Sequence, residues 1–254
     1  FALQEADVAM MVGGRLDNQM NFGNPPLFPE SLQLVCINGS AEELELNRAA
    51  DLMLLSDPGV FFDALLTLHQ EGGISFDRSW FDENRRRRGI WVEEMLESIT
   101  DSKSTDKRLH PLQLALDVQG EMGSRDWLVI DGGNTHFWSE IAINMAGWQG
   151  KKLSGILHPG AFSMLGVGVS FALAVKLKHP GENVVVISGD GAFLSGGLSI
   201  EATFQEKAPI TVVIDNNGGL TTISQQQERL FGVDRHVATD FRDIPFHSMF
   251  EGLG

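Results

Sequence analysis

The sequence predicts an α/β fold of two doubly wound domains, each built on a parallel sheet. Three observations carry this. Short β-branched or apolar runs alternate with helix-length segments through most of the chain. Several of those runs end abruptly in glycine-rich turns, as at Gly132-Gly133 and Gly189-Asp190-Gly191. A polar, charged stretch near the middle interrupts the alternation and then lets it resume.

In chain order, Val8–Val12 reads as a strand and Gly13-Gly14-Arg15 as its turn. Asn24-Pro25-Pro26 breaks the chain before a second strand, Leu32–Ile37. Ala41–Asn47 reads as a short helix with Ser40 as N-cap, and Leu52–Leu55 as a third strand. Asp57-Pro58 opens a helix through His69, with Pro58 in its first turn. Residues 1–70 are therefore expected to be part of one domain. Residues 71–108, with Gly72-Gly73 at one end and Ser102–Asp106 at the other, read as a linker holding one helix at Glu93–Ile99. Residues 109–254 form the second domain. Its elements are a helix at Leu112–Met122, a strand at Trp127–Asp131 and a continuing helix at Ile141–Met145. A glycine-spaced helix at Gly160–Lys178 leads to a strand at Asn183–Ser188, a helix at Leu198–Gln205 and a strand at Ile210–Asp215.

Composition narrows the function classes. The 254 residues are 43% hydrophobic and 21% charged, enough apolar material for real cores. No apolar run approaches the roughly 18 residues needed to span a bilayer. A net charge of −15 repels nucleic acid and acidic membrane surfaces, so neither is an expected partner. The basic run Arg85-Arg86-Arg87-Arg88 has acidic neighbours in Asp82, Glu83, Glu93 and Glu94, and reads as a solvated stretch. The single cysteine, Cys36, sits in the apolar run Leu34–Ile37 and is expected in the core. With no internal disulfide possible and no signal-peptide pattern, a reducing, cytoplasmic setting is expected. The chain opens at Phe1 directly into a strand and closes on Gly252-Leu253-Gly254, so both ends read as cut from a longer polypeptide.

The chemistry concentrates in one βαβ unit. Val184–Ser188 runs into Gly189-Asp190-Gly191; after 24 further residues a second β-branched run ends in Asn216-Asn217-Gly218-Gly219. A right-handed crossover places Asp190 and Asn217 at the carboxyl ends of parallel strands, where open α/β sheets bind ligands. The Asp190 carboxylate, the Asn217 amide oxygen and the Gly219 carbonyl are hard oxygen donors suited to Mg²⁺ completed by phosphate and water. Gly189 and Gly191 let the backbone approach a phosphate, and a helix N-terminus favours its charge. Either motif alone is ordinary turn chemistry; the pairing at βαβ spacing carries the signal.

This pattern resembles the thiamine-diphosphate motif. Residues 110–254 resemble the cofactor-binding domain of the acetolactate synthase, oxalyl-CoA decarboxylase and 2-hydroxyacyl-CoA lyase group, and residues 1–70 the latter part of its middle domain. Gly14-Arg15-Leu16-Asp17, Asn21-Phe22-Gly23 and Pro25-Pro26-Leu27-Phe28 lean toward the acyl-CoA lyases; Asn217-Gly218-Gly219 and Gln225-Gln226-Gln227 lean toward the synthases. The resemblance implies Mg²⁺ ligation by Asp190, Asn217 and the Gly219 carbonyl, and diphosphate contacts from Gly189, Gly191, Ala192, Asn134 and Thr135. It implies that Ser163 and Leu165, in Ser163-Met164-Leu165-Gly166, grip the aminopyrimidine, with Leu165 as the wedge that bends the cofactor. Read without the resemblance, Leu165 is as well explained as helix core.

The same resemblance implies an enzyme that makes or breaks a C–C bond beside a carbonyl, acting on a 2-oxo acid or acyl-CoA. It implies a homodimer or homotetramer with the active site between subunits. The glutamate that activates the cofactor in this group lies on a domain with no counterpart here, so no catalytic residue is expected in this chain and the chain alone is not expected to turn over. Where the group's middle domain often carries acids for a nucleotide ribose, this chain reads Ile37-Asn38-Gly39-Ser40, which puts FAD or ADP in doubt. A catalytically incomplete partner or regulatory chain that keeps the fold is the alternative. A nucleotide-binding dehydrogenase fits less well, because Gly13-Gly14 lacks the Gly-x-Gly-x-x-Gly spacing and the downstream acid. His136 and His158 follow strand ends and read first as structural or solvent-exposed.

Overall fold

The computed structural model describes residues 1–75, 77–105, 109–148 and 150–253. The chain divides into two compact units, Phe1–Trp91 and Val92–Gly254. Asp106, at the expected linker's end, and Gly254 lie outside the described residues.

In the first unit, strands β1 (Val8–Val12), β2 (Gln33–Asn38) and β3 (Leu52–Leu55) form a parallel sheet in the order β1-β2-β3. Alternation along β2 sends Leu34 and Cys36 into a core with Leu16, Phe28, Leu32 and Leu44. Helix α1 (Ala41–Leu44) is shorter than expected and the Ser40 side chain does not cap it; the Ser40 N–H instead donates to Asn38 Oδ1 at 3.1 Å. Helix α2 (Pro58–Gln70) starts as the sequence predicts, with Asp57 accepting from the N–H groups of Gly59 and Val60. The Arg48 guanidinium ties the loop before β2 together by donating to the carbonyls of Gly23, Phe28, Pro29 and Leu32.

Most of the stretch expected as a linker is one helix, α3 (Ser79–Thr105). Its arginines explain why a polar sequence stays helical. Arg86 and Arg87 pair with Glu83 at i+3 and i+4, and Arg87 also reaches Glu5 at 2.7 Å.

The second unit adds α4 (Pro111–Glu121), β4 (Asp126–Asp131), α5 (Asn134–Trp148), β5 (Gly155–Leu157), α6 (Gly168–Lys178) and β6 (Asn183–Gly189). These are followed by α7 (Asp190–Gly196), α8 (Glu201–Gln205), β7 (Thr211–Asp215), α9 (Thr221–Phe231) and α10 (Phe246–Glu251). All strands are parallel, in the order β5-β4-β6-β7. Both faces of the sheet are covered. Leu128, Ile130 and Ile187 pack with Met122, whereas Val129, Val184 and Val186 pack with Ala172 and Val175 of α6. The order in which successive strands are laid down reverses between β4 and β6, since β5 lies outside β4 and β7 outside β6. That is the switch point where the loops diverge and a crevice opens.

Two sequence expectations fail here. The helix predicted over Gly160–Lys178 begins only at Gly168. Before it lie a short 3-10 turn at Gly160–Phe162 and an irregular loop. Ser163 (φ 48°) and Gly166 (φ 87°) adopt left-handed conformations that end any helix. The Leu198–Gln205 helix is also cut, to Glu201–Gln205, because α7 and a 3-10 turn at Gly197–Ile200 occupy the preceding residues.

A cavity at the tips of three strands

Every site residue singled out from the sequence lines one cavity of about 210 Å³ in the second unit: Asn134, Thr135, Ser163, Leu165, Gly189, Asp190, Gly191, Ala192, Asn217 and Gly219. Strands β4, β6 and β7 deliver them. Register pairs Asp131 with Ser188 and Gly189 with Asp215, so the three strand ends stop level with one another.

Asp190 is the most enclosed charge of the site, at 1% exposure. Its Oδ1 accepts from the Gly191 N–H at 2.7 Å, and its Oδ2 from the N–H groups of Gly218 and Gly219, both at 2.9 Å. The carboxylate thus clasps the turn after β7 from the tip of β6. Burial nonetheless raises its pKa above the ordinary carboxylate value, ahead of the opposing pull of those three bonds; nearby Asp215 adds to the rise. A cation beside it would reverse the balance.

Asn217 supplies the second donor. Its Nδ2 donates to Asp215 Oδ2 at 3.2 Å, and its Oδ1 is buried with no hydrogen-bond partner among the described residues. A buried amide oxygen without a partner costs free energy unless a ligand supplies one. The Thr222 hydroxyl oxygen, which also lines the cavity, is buried and unpartnered among the described residues too. Two unpartnered oxygens beside a buried carboxylate are donors of the kind a hard divalent cation with a phosphate takes.

The wall combines glycines and first-turn main-chain N–H groups with the apolar side chains of Leu165, Leu220 and Ile223. The first turns of α5, α7 and α9 all border the cavity, through Asn134 and Thr135, Asp190 to Ala192, and Thr221 to Ile223. Their dipoles favour an anion there. Gly219 has φ 149°, and a Cβ on it would sit 2.1 Å from the Thr239 carbonyl oxygen. On Gly191 a Cβ would meet the Leu220 side chain at 2.6 Å. Neither position admits a side chain without moving the cavity wall.

The Ser163–Gly166 loop forms the remaining wall. Leu165 is not helix core: it sits in irregular chain, 36% exposed, with Met164 at 61% and Phe162 at 93% beside it. Asp131 secures this loop, its Oδ1 accepting from the Gly166 N–H (3.0 Å) and its Oδ2 from the Gly168 N–H (2.7 Å).

Three contributors escape sequence reading. Asp131 and Asp215 are buried carboxylates at strand ends, and Thr135 Oγ1 donates to Asp215 Oδ2 at 2.9 Å. Their only sequence signal is an acid closing an apolar run. Thr222 leaves no signal at all. In the other unit Cys36 is buried as expected, and burial raises its thiol pKa. No described helix is long and apolar enough to cross a membrane.

Comparison with known proteins agrees with this geometry. Residues 131–254 match the family described as thiamine pyrophosphate enzyme, C-terminal TPP binding domain. Human 2-hydroxyacyl-CoA lyase 2 is 28% identical over 263 residues, covering 100% of this chain and 39% of that protein. The acetolactate synthase large subunit of Mycobacterium tuberculosis is 28% identical, covering 91% of this chain and 40% of its own length. Oxalyl-CoA decarboxylase of Escherichia coli is 27% identical over 87% of this chain and 38% of its length. The chain therefore spans about two-fifths of the length of these relatives.

Proposed function

We propose, from the premise that residues 131–254 belong to the C-terminal TPP-binding domain family of thiamine pyrophosphate enzymes, that this chain holds thiamine diphosphate and Mg²⁺ for C–C bond chemistry beside a carbonyl. The observation that carries the reading is the unpartnered, buried Oδ1 of Asn217 beside the enclosed Asp190 carboxylate. Together with the Gly219 carbonyl they make an all-oxygen donor set for Mg²⁺.

The roles follow from position. Asp190 would supply negative charge and Asn217 a neutral oxygen to hold and orient the ion, whose charge would offset that of the acidic strand ends beside the diphosphate. The main-chain N–H of Ala192 and the first turn of α5, with Asn134 and Thr135, receive the diphosphate, and Gly191, whose own N–H is held by Asp190, leaves room for its close approach. Leu165 and Ser163 form the wall against the aminopyrimidine, Leu165 as an apolar wedge that fixes the bend of the cofactor. When bound, the cofactor supplies a carbon nucleophile for a carbonyl and a sink for the electrons of the broken C–C bond. The chain's contribution is orientation, and the exclusion of water by Leu165 and Ala192.

Relatives named as 2-hydroxyacyl-CoA lyase, acetolactate synthase and oxalyl-CoA decarboxylase support a 2-oxo acid or an acyl-CoA as substrate class. Assembly as a homodimer or homotetramer is part of the proposal. The apolar rim of Phe162, Met164 and Leu165 beside the cavity supports a covering surface there.

Isothermal titration of the full-length protein with Mg²⁺ and thiamine diphosphate tests the reading. Saturable binding that Asp190→Ala abolishes is expected. No saturable binding, or binding that survives the substitution unchanged, overturns it.

A further inference from the structure

One cluster outside the cavity carries a separate chemistry. His136 and Glu140 lie one turn apart on α5, and His136 Nε2 sits 3.2 Å from Glu140 Oε1. The His158 ring, from the segment after β5, lies 5.0 Å from the His136 ring. One ligand atom from each of the three falls within 4.8 Å of the others.

We propose that His136, Glu140 and His158 form a binding site for a divalent d-block cation of the zinc class, with one coordination position left open. Two imidazoles and a carboxylate suit such ions, whereas Mg²⁺ prefers oxygen throughout. Tetrahedral zinc with bonds of about 2.05 Å places its ligand atoms about 3.3 Å apart. The His136–Glu140 pair already has that spacing. His158, exposed at the protein surface, closes the remaining distance by turning its side chain. The cost is one long bond, because ligation through either ring nitrogen displaces the Gly160 N–H that donates to Nδ1 at 3.2 Å.

Surroundings favour the ion. Buried Asp131 lies close enough to His136 for their charges to interact, which adds negative charge near the site. Three protein ligands and an open position match catalytic rather than structural zinc centres. The open position would take water or a ligand carboxylate. His136 follows directly on Thr135, so the ion would stand just outside the cavity. None of its ligands is among the residues proposed for Mg²⁺ or diphosphate, so the two readings stand or fall separately.

The plain reading is an i,i+4 His–Glu pair beside a second histidine whose ring is tilted against the first. Titrating the full chain with Co²⁺ under saturating Mg²⁺ separates the two. Visible bands of the tetrahedral type at one equivalent are expected, with Glu140→Gln and His158→Ala each weakening Co²⁺ binding at least about tenfold. Because His158 is exposed, its substitution leaves the fold intact. Absence of such bands in the unsubstituted chain, or bands that neither substitution alters, overturns the proposal.

Discussion

Asp215 holds the Asn217 side chain by its nitrogen, and so turns the amide oxygen inward. The same Asp215 oxygen accepts the Thr135 hydroxyl, so a single carboxylate joins the first turn of α5 to the turn after β7.

Replacing Asp215 by alanine should therefore free the Asn217 amide to rotate. Mg²⁺ affinity should drop about 10- to 100-fold, as for other residues that orient a metal ligand. Stability should fall by about 1–3 kcal/mol as the Thr135 hydroxyl and the Asn217 amide lose their acceptor. Calorimetric titration and urea denaturation read the two effects independently.

Gly219→Ala should be more damaging than an alanine elsewhere in the loop. The added methyl meets the Thr239 carbonyl oxygen at 2.1 Å, and a φ of 149° is foreign to alanine. The chain must shift, at a cost of at least about 1–3 kcal/mol. The shift carries the Gly219 N–H away from Asp190. Lower thermal stability and weakened Mg²⁺ binding are expected together; an unchanged melting temperature would contradict the packing described.

Asp131 makes stability depend on pH in a direction unlike most carboxylates. Its pKa is raised, chiefly by burial, against the pull of the Gly168 and Gly166 N–H groups and of His136. Between the unfolded value and this raised value the native chain binds more protons than the unfolded chain. Its contribution is therefore present in full below the unfolded pKa and is lost as pH rises through the folded one. Asp131→Asn should remove this slope, so the stability difference between variant and parent should be larger at the acid end of the window. Denaturant titrations across the acid range measure it.

The strands that build the cavity were legible because each is an apolar run closed by glycine or asparagine, rich in β-branched residues at Val184–Gly189 and Thr211–Asn217. Asp190 and Asn217 stood out for the same reason. Strand β5 did not, since Gly155–Leu157 is only three residues long and is recognisable only by its pairing with Trp127–Val129. The helix was expected too early because left-handed angles at Gly160, Ser163 and Gly166 are invisible in one dimension. Asp131 and Asp215 were missed because each bonds a group far away in the chain, and Thr222 because a buried, unpartnered hydroxyl leaves no pattern in sequence. Thr135 and Asp215 are 80 positions apart. The extent of α3 was missed because its first turns are held by charge pairs, and an apolar stripe appears only from Val92 through Met95 to Ile99.

The cavity offers its visitor mostly peptide groups at the ends of a hydrogen-bonded sheet, and few side chains that must be brought to rest. Capture there costs little freedom on the protein's side, since the amides of Gly191, Gly218 and Gly219 are already arrested by Asp190. Grip at this end of the pocket is consequently hard to retune by exchanging side chains. The exposed side chains of Phe162, Met164 and Leu165 at the rim are the ones most open to exchange.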